Sequence, residues 1–470
     1  MNEPRHTREL LGWVEGLRLT DCPDLMVVRA KASILDTVGV AVASFAEPVV
    51  RIIERRLDRI GGEPAATVWS TGRRTSATEA AFANGVCAHA LDFDDVLRDA
   101  RVHVGAVLVP ALFAVAEEHG FGGASVLVAY LAGLEAASRV ALALGPRHYA
   151  AGWHASSTVG TIACALATGK LMSASVDELF SAVAVGVSEA GGTRENFGTM
   201  AKPFHVGHAA ACGVRAAELA SLGMTGSPWA LEGEMGFLKL YGCGSSDPQA
   251  LDRGLPNSWS SGTGSTSLKL YPSCRSTHRT LDGLFELREQ CTLIDETVES
   301  VEIAVPPIDL EPLVRHLPTN GGEGKFSIEY TSAAALLDGR VGLETFSDHM
   351  VERQNIQELM ARVQVRANNK ESDGAGFGDC VTIKVTDASG EIWRKTVTHA
   401  SGDPERPLEW NQVAEKFMQC MTPALRAGSA RFVHEVERLD SCTTLASVVA
   451  WLAEPGADRE DVGGTKAPRP

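Results

Sequence analysis

The hydrophobic periodicity of the chain changes near residue 270, and this change restricts the possible folds more than any other feature. Before that point apolar residues recur at helical spacing, as Leu25, Val28, Ala32 and Leu35 do. Beyond it apolar and polar residues begin to alternate, which is typical of strands. The chain is therefore expected to contain two structurally different parts.

The alternating part predicts a small α/β unit with a hairpin. Val298 begins the first alternating segment, another surrounds Val363, and residues 381–385 face residues 392–397 across the turn Asp387-Ala-Ser-Gly390. Helix-forming segments separate these strands, near residues 276–290, 332–338 and 355–361.

We predict a mainly α fold in which a large all-helical domain carries an inserted smaller α/β (α+β) lid domain. The helical domain is expected to span residues 1–268 and to be completed by residues 404–455, and the lid to span 269–403. Residues 456–470, rich in Gly, Pro and charge, are expected to form a disordered tail.

Composition limits the possible partners and the compartment. The net charge of −16 disfavours nucleic acid and anionic membranes, although a local cluster of cations can still bind a small anion. The most apolar stretch, 124–145, carries Glu135 and Arg139, so we interpret it as a buried helix and expect no membrane contact. The ten cysteines form no Cys-x-x-Cys pair, and no secretory signal is visible, which favours a cytoplasmic protein without a metal or disulfide framework.

Three carboxylates lie beside an apolar run in the segment Ala90-Leu-Asp-Phe-Asp-Asp-Val96. The charges of Asp92, Asp94 and Asp95 need hydrogen bonds, cations or a raised pKa if they are buried. Such a cluster indicates either an acid–base site or, more simply, a helix N-terminus or solvated turn.

Polar residues gather in five segments, and together these segments resemble the MmgE/PrpD family. They are Asp92 to His103, Tyr149 to His154, Gly198 to His205, Lys269 to His278 and Lys325 to Tyr330. This family includes 2-methylcitrate dehydratases, cis-aconitate decarboxylases and iminodisuccinate epimerases. The resemblance covers nearly the whole chain. It implies a helical domain, a smaller lid, an active site between them, a homodimer, and neither a metal nor an organic cofactor.

The resemblance also assigns site residues. It places Asp92, His103, His154, Lys202 and Tyr330 on the active-site positions of the family, and Lys269 and His278 on the lid side of the cleft. The chemistry agrees, because a histidine can act as a base near neutral pH, and cations can bind carboxylates and stabilise enolate-like charge. Lys202, Lys269 and Arg275 would supply those cations, and Tyr149 would orient the substrate.

Each of these residues also has a structural interpretation. In that interpretation His154 is a satisfied core histidine, His103 a helix cap and Lys202 the end of a loop. Arg275 and His278 can simply pair with acids, Tyr149 can simply pack, and His205 is expected to support the site without reacting. A structural thiol is favoured for Cys274, since no base at a characteristic spacing supports a nucleophile.

The chain departs from the decarboxylases of the family at Val96, where those enzymes carry a threonine. A hydroxyl that holds a substrate carboxylate is thus missing, and the guanidinium groups of Arg98 and Arg101 are candidates to replace it. This difference makes decarboxylation of cis-aconitate less expected.

The sequence therefore predicts a cofactor-free lyase that acts on a small di- or tricarboxylate, most like a 2-methylcitrate dehydratase. An epimerase similar to iminodisuccinate epimerases and a cis-aconitate-type decarboxylase are the alternatives, because the same histidines and lysines serve all three reactions. A non-catalytic binding protein is least favoured, because it would be expected to have lost the polar segments, and all five are present.

Overall fold

The computed structural model describes residues 4–262, 266–290, 298–313, 317–368, 380–421 and 425–453. The fold is mainly α with a small α/β part, as the sequence predicted. The predicted tail, residues 456–470, lies outside the described residues.

The first part of the chain is a layered helical assembly. Its helices are α1 (Arg5–Gly16), α2 (Asp24–Ala43), α3 (Pro48–Ile60), α4 (Ala77–His89), α5 (Val104–His119), α6 (Gly123–Leu144), α7 (Arg147–Ala150), α8 (Ala155–Leu171), α9 (Val176–Glu189), α10 (Ala201–Ser221) and α11 (Phe237–Tyr241). The chain returns to this layer through α18 (Trp410–Gln419), α19 (Arg426–Glu437) and α20 (Ala446–Ala453).

Small residues bring two of these helices unusually close. A Cβ atom on Gly85 of α4 would lie 2.8 Å from the Cα atom of Gly207 on α10, and one on Gly207 would lie 2.4 Å from the backbone oxygen of Phe82. No side chain larger than hydrogen fits between the two backbones at this crossing. The close contact fixes the relative positions of the ends of α4 and α10, where several polar residues lie.

Helix α6 is the one described helix long and apolar enough to cross a membrane, but 89% of its most apolar window is buried inside the protein. Its ion pair, Arg139 Nε to Glu135 Oε1 at 2.6 Å, is fully buried. The Glu135 carboxylate also accepts hydrogen bonds from the backbone N–H groups of Ser260 and Ser261. The two charges therefore anchor a long loop onto α6.

That loop differs from the prediction, since helical structure does not continue to residue 268. Between residues 222 and 262 the chain forms mainly turns, with α11 and one 3₁₀ turn, Pro248–Leu251. Glycines and prolines recur throughout this stretch, and both residue types are poor helix formers.

Short antiparallel strand pairs, which the sequence analysis did not predict, lie within the helical part. β1 (Ala66–Thr67) pairs with β2 (Arg74–Thr75), and β3 (Val96–Leu97) pairs with β4 (Thr266–Ser267). The second pair joins the acidic segment to the chain that leads into the other part of the molecule.

The second part contains a four-stranded sheet with the order β6-β5-β7-β8. Its strands are β5 (Val298–Val305), β6 (Val363–Ala367), β7 (Val381–Asp387) and β8 (Ile392–Val397), and its helices are α12 (His278–Gln290), α13 (Pro307–Leu310), α14 (Gly321–Gly324), α15 (Ile328–Asp338), α16 (Asp348–Val351) and α17 (Gln354–Met360). β5 runs parallel to β6 and antiparallel to β7, and β7–β8 is the predicted hairpin. Its turn uses Gly390 at a φ of 83°.

Each part has its own hydrophobic core. The larger core joins the helices of the first part to the returning α18, α19 and α20. The smaller core lies between the sheet and α12 and α15, and it also includes Phe197 from the first part. The exact domain boundaries stay a prediction.

Candidate active site

A cavity of about 530 Å³ lies between the two parts of the molecule. Its wall contains seven of the nine residues that the sequence analysis assigned to catalysis or substrate binding, namely Asp92, His103, Tyr149, His154, Lys202, Lys269 and Arg275. These residues come from separate segments of the chain, and the fold brings them to one place.

Asp92 is the centre of this charged wall. Its Oδ1 atom lies 2.9 Å from Nζ of Lys202 and 3.0 Å from Nζ of Lys269, and Lys269 also donates to the Asp92 backbone oxygen at 2.7 Å. The residue has a φ of 51°, a left-handed conformation that costs energy for a side chain other than glycine. The two buried lysines offset that strain and the charge of the carboxylate.

Asp94 connects two histidines behind Asp92. Nδ1 of His89, the last residue of α4, lies 2.9 and 3.0 Å from the two Asp94 oxygens, and Nδ1 of His103 lies 3.1 Å from Oδ2. The Nε2 atom of His89 is 2.6 Å from Nζ of Lys202. Nε2 of His103 is 3.7 Å from Asp92, so His103 lies between the two carboxylates.

Burial and neighbouring charges determine which of these groups are ionised. Burial favours a raised pKa for Asp92 and Asp94, but the nearby lysines and histidines outweigh it and hold both pKa values well below the usual range. Burial, reinforced by the two lysines, lowers the pKa of His103. The site therefore combines ionised carboxylates with a neutral His103 at neutral pH.

His154 lies on another wall of the cavity and faces a second histidine. It precedes α8, and its Nδ1 atom lies 3.1 Å from Nδ1 of His205 on α10. Burial and the charge of Lys202 lower the pKa of both rings, that of His205 to about 4. At neutral pH the pair is therefore uncharged, and its two rings share one hydrogen bond.

Aromatic rings surround the amino group of Lys202. Its Nζ atom lies 5.2 Å from the ring centre of Phe197 and 5.4 Å from that of Phe326, and the two rings are 5.5 Å apart. The ammonium group is attracted to the ring faces, which also exclude water. This explains why Phe197 belongs to the core of the second part.

The arginines at the cavity mouth are held by acids. Arg275 is bound to Asp403, and Arg98 makes a bidentate pair with Glu405 at 2.9 and 2.8 Å. Arg101 pairs with Glu311, and its guanidinium group lies 4.2 Å from the ring centre of Tyr149. Each of these charges thus already has a partner, and the Arg101–Glu311 pair joins the two parts of the molecule.

Two predicted site residues do not reach the cavity wall. Tyr330 is fully buried, and its hydroxyl donates to the backbone oxygen of Thr345. Burial raises the pKa of this phenol. His278 begins α12 and lies under Tyr271, with Nε2 3.3 Å from the Ser273 oxygen. We therefore leave both residues out of the catalytic arrangement.

The sequence argument missed His89. Its position three residues before Asp92 was the available signal, but nothing in the sequence indicates that it meets Lys202, which lies 113 residues away. The sequence also did not show which of the three neighbouring carboxylates is shared by two histidines. In the structure it is Asp94, which contacts both His89 and His103.

The site contains side chains of the kind that bind metals. Donor atoms of His89, Asp92, Asp94 and His103 lie within 4.8 Å of one another. However, the amino groups of Lys202 and Lys269 already contact His89 and Asp92, and Nδ1 of His103 contacts Asp94. The arrangement therefore fits internal ammonium groups better than a divalent ion.

The geometry suits acid–base chemistry on a small anion. Two ammonium groups provide charge for carboxylates, and one neutral histidine is oriented by an ionised carboxylate, the usual arrangement of a group that exchanges a proton. The cavity is large enough for a small organic acid.

Comparisons with known proteins show which family the chain matches. The MmgE/PrpD N-terminal domain matches residues 8–249, and the MmgE/PrpD C-terminal domain matches residues 271–440. The chain is 28% identical to a cis-aconitate decarboxylase of Homo sapiens over 457 residues, or 94% of each chain. It is 27% identical to the cis-aconitate decarboxylase of Mus musculus, over 94% of this chain and 93% of that one. The cis-aconitate decarboxylase of Aspergillus terreus is 26% identical over 87% and 88% of the two chains.

Proposed function

The chain belongs to the MmgE/PrpD family, and on this basis we propose that it is a lyase that removes carbon dioxide from a cis-aconitate-like tricarboxylate. The observation that carries the proposal is the contact of Lys202 and Lys269 with Asp92 beside His103. The cis-aconitate decarboxylases that align over most of the chain support this choice of reaction.

The chemistry of decarboxylation defines what the site must do. The carboxylate that leaves cis-aconitate is attached to the carbon next to the double bond. When that carbon–carbon bond breaks, its electron pair forms a new double bond, and the old double-bond pair moves to the far carbon, beside another carboxylate. That carbon then takes one proton, giving methylenesuccinate (itaconate) and carbon dioxide.

We assign the proton transfer to His103. Its Nδ1 atom faces the ionised Asp94, an arrangement that stabilises the imidazolium form, whereas His154 faces only another imidazole. A bound trianion favours protonation of His103, because negative charge nearby raises the pKa of a histidine. In this scheme Lys202 and Lys269 bind the charge that develops on the neighbouring carboxylate, and His154 contacts the substrate from the opposite wall.

A hydro-lyase that acts on a 2-methylcitrate-like substrate is the second candidate, and Val96 favours it. The Val96 side chain lines the cavity where a decarboxylase would carry threonine, and its backbone pairs with Ser267. Arg98 and Arg101 do not freely replace the hydroxyl, because both are paired with acids.

A panel of di- and tricarboxylates incubated with the protein in deuterated water tests the function. Proton NMR separates the outcomes. Decarboxylation of cis-aconitate gives new methylene signals, dehydration of 2-methylcitrate changes its methyl doublet into a singlet, and epimerisation gives only exchange. Decarboxylation of cis-aconitate supports the first proposal, and dehydration of 2-methylcitrate without any decarboxylation supports the second. Turnover of neither acid contradicts both.

We also propose that the protein is a cytoplasmic homodimer, as its cysteine usage and family suggest. Exposed apolar side chains in the loop region, Leu222, Met224, Met235 and Leu240, provide apolar surface for such an association. Light scattering of the purified protein would test the dimer, and cell fractionation would test the location. A monomer at micromolar concentration, or recovery with membranes, would contradict these proposals.

A further inference from the structure

His89 is fully buried between two charged residues, one on each side of its ring. Its Nδ1 atom lies 2.9 and 3.0 Å from the Asp94 oxygens, and its Nε2 atom lies 2.6 Å from Nζ of Lys202. A second acceptor for Lys202 is Oδ1 of Asp92, at 2.9 Å. His89 itself does not line the cavity.

The tautomer of His89 follows from these neighbours. An ionised carboxylate can only accept hydrogen bonds, so the Nδ1 atom facing Asp94 must carry the proton. Burial, together with the charge of Lys202 and the nearby His103, lowers the pKa of His89 to about 3, although Asp94 acts in the opposite direction. The ring is therefore neutral, and its Nε2 lone pair is available to Lys202.

We propose that His89 is a positioning residue: Asp94 fixes its tautomer, its Nε2 atom accepts one proton of Lys202, and the ammonium group is thereby aimed into the cavity. This inference rests on the proposed function, because it assumes that Lys202 meets a substrate carboxylate.

Counting the protons of Lys202 shows what this contact achieves. An ammonium group has three N–H bonds, of which one points to His89 and one to Asp92. Among the described residues Nζ has no further hydrogen-bond acceptor, and the nearby faces of Phe197 and Phe326 are weak acceptors. The third N–H bond is thus left for a substrate oxygen, and the two rings keep water from competing for it.

Two substitutions each preserve one of the two contacts that His89 makes, with Asp94 or with Lys202. In His89→Asn the amide nitrogen can still donate to Asp94, but nothing reaches Lys202. In His89→Gln the longer side chain can place an amide oxygen near the former Nε2 position and so preserve an acceptor for Lys202. We expect His89→Asn to lower kcat by about 100-fold, the scale of losing one oriented electrostatic contact, with a smaller change in KM. His89→Gln should recover most of that loss.

The pH profile of kcat/KM provides a readout that a merely structural role would not move. Asp94 and Lys202 bind His89 directly, and the rings of His103 and His154 face it at 4.4 and 6.2 Å, while Asp92 adjoins it through Lys202. His89→Asn should shift the profile, and His89→Gln should leave it close to that of the unchanged protein. Equal losses in both variants, with unshifted profiles and matching falls in Tm, would overturn the proposal.

Nitrogen-15 NMR of the unchanged protein tests the tautomer without any substrate. The expected result is a protonated Nδ1 and an unprotonated Nε2 in the His89 ring, and a proton on Nε2 would overturn the inference. This NMR measurement does not depend on catalytic turnover. Failure of the positioning role is therefore distinguishable from failure of the proposed function, which would appear as an unchanged protein that releases no carbon dioxide.

Discussion

Lys269 donates from its Nζ atom to both the carboxylate and the backbone oxygen of Asp92, at 3.0 and 2.7 Å. Lys269 follows β4, on the path from the larger core into the smaller one, whereas Asp92 follows α4. The negative charge of Asp92 is thus partly neutralised by Lys269, a residue at the junction of the two parts. The same contact therefore helps to hold the two parts together and to position the charged residues of the cavity.

Replacing Lys269 should therefore reduce both stability and activity. Loss of one partner from a buried ion pair usually costs ~3–5 kcal/mol of unfolding free energy. We expect Lys269→Met to cost less than this, because Lys202 still neutralises Asp92. Urea unfolding would measure the effect, with the double variant Lys269→Met, Asp92→Asn as the control. An unchanged free energy of unfolding in the single variant would contradict the coupling.

His154 should matter more for catalysis than for stability. Its ring has a hydrogen bond to His205 and an edge-on contact with Phe197, and neither is a charged pair. We expect His154→Ala to lower kcat by about 100-fold or more, the scale of an acid–base group, with little change in Tm. A fall in Tm that accounts for the lost activity would return His154 to a structural role.

Asp95 predicts a pH-dependent stability. Its Oδ1 atom accepts the backbone N–H of Gly105 at 2.8 Å, and burial, followed by the charges of Asp94 and Asp36, raises its pKa from 3.8 to about 7. A carboxyl whose pKa is raised on folding stabilises the folded state below its unfolded pKa, and this contribution is lost as the pH rises towards the folded pKa. Asp95→Asn should therefore gain stability relative to the unchanged protein between about pH 4 and pH 7.

Urea unfolding at several pH values across that interval measures the difference. Asp99→Asn, which changes an exposed carboxylate of the same segment, serves as the control and should follow the unchanged protein. Parallel stability curves for Asp95→Asn and the unchanged protein would show that Asp95 is not protonated on folding.

Chelators should leave activity intact. His89 and Asp92, two of the four residues that resemble a metal site, already contact Lys202 and Lys269. A divalent ion held by all four would therefore have to displace these buried ammonium groups. Assays after dialysis against EDTA, with and without added zinc or iron, measure this. Activity that falls with EDTA and returns with one of these metals would contradict the account.

The fold was largely predictable because periodicity is a local property. Alternation around Val298 and Val381 gave the correct strands, and the turn ending in Gly390 gave the correct hairpin. The segment 222–262 was mispredicted as helical, since its structure depends on contacts such as the anchoring of Ser260 by Glu135, a partner 125 residues away.

The site was predictable only where chemistry and resemblance agreed. Lys202 and Asp92 stood out by residue type, and the fold brings them within 2.9 Å. His89 was missed because its function depends on a distant lysine. Tyr330 was assigned by position alone, and its hydroxyl instead bonds to the Thr345 backbone, a contact that no pattern in the sequence reveals.

The fate of the transferred proton tests the central claim most directly. Cis-aconitate is incubated with the protein in deuterated water, and released carbon dioxide and product deuterium are measured together. We predict carbon dioxide release with one deuterium in the saturated methylene group of itaconate, and a loss of both on substitution of Lys202 or His103. Absence of carbon dioxide release, or release that persists in Lys202→Ala and His103→Ala, would contradict the assignment of this cavity as a decarboxylating active site.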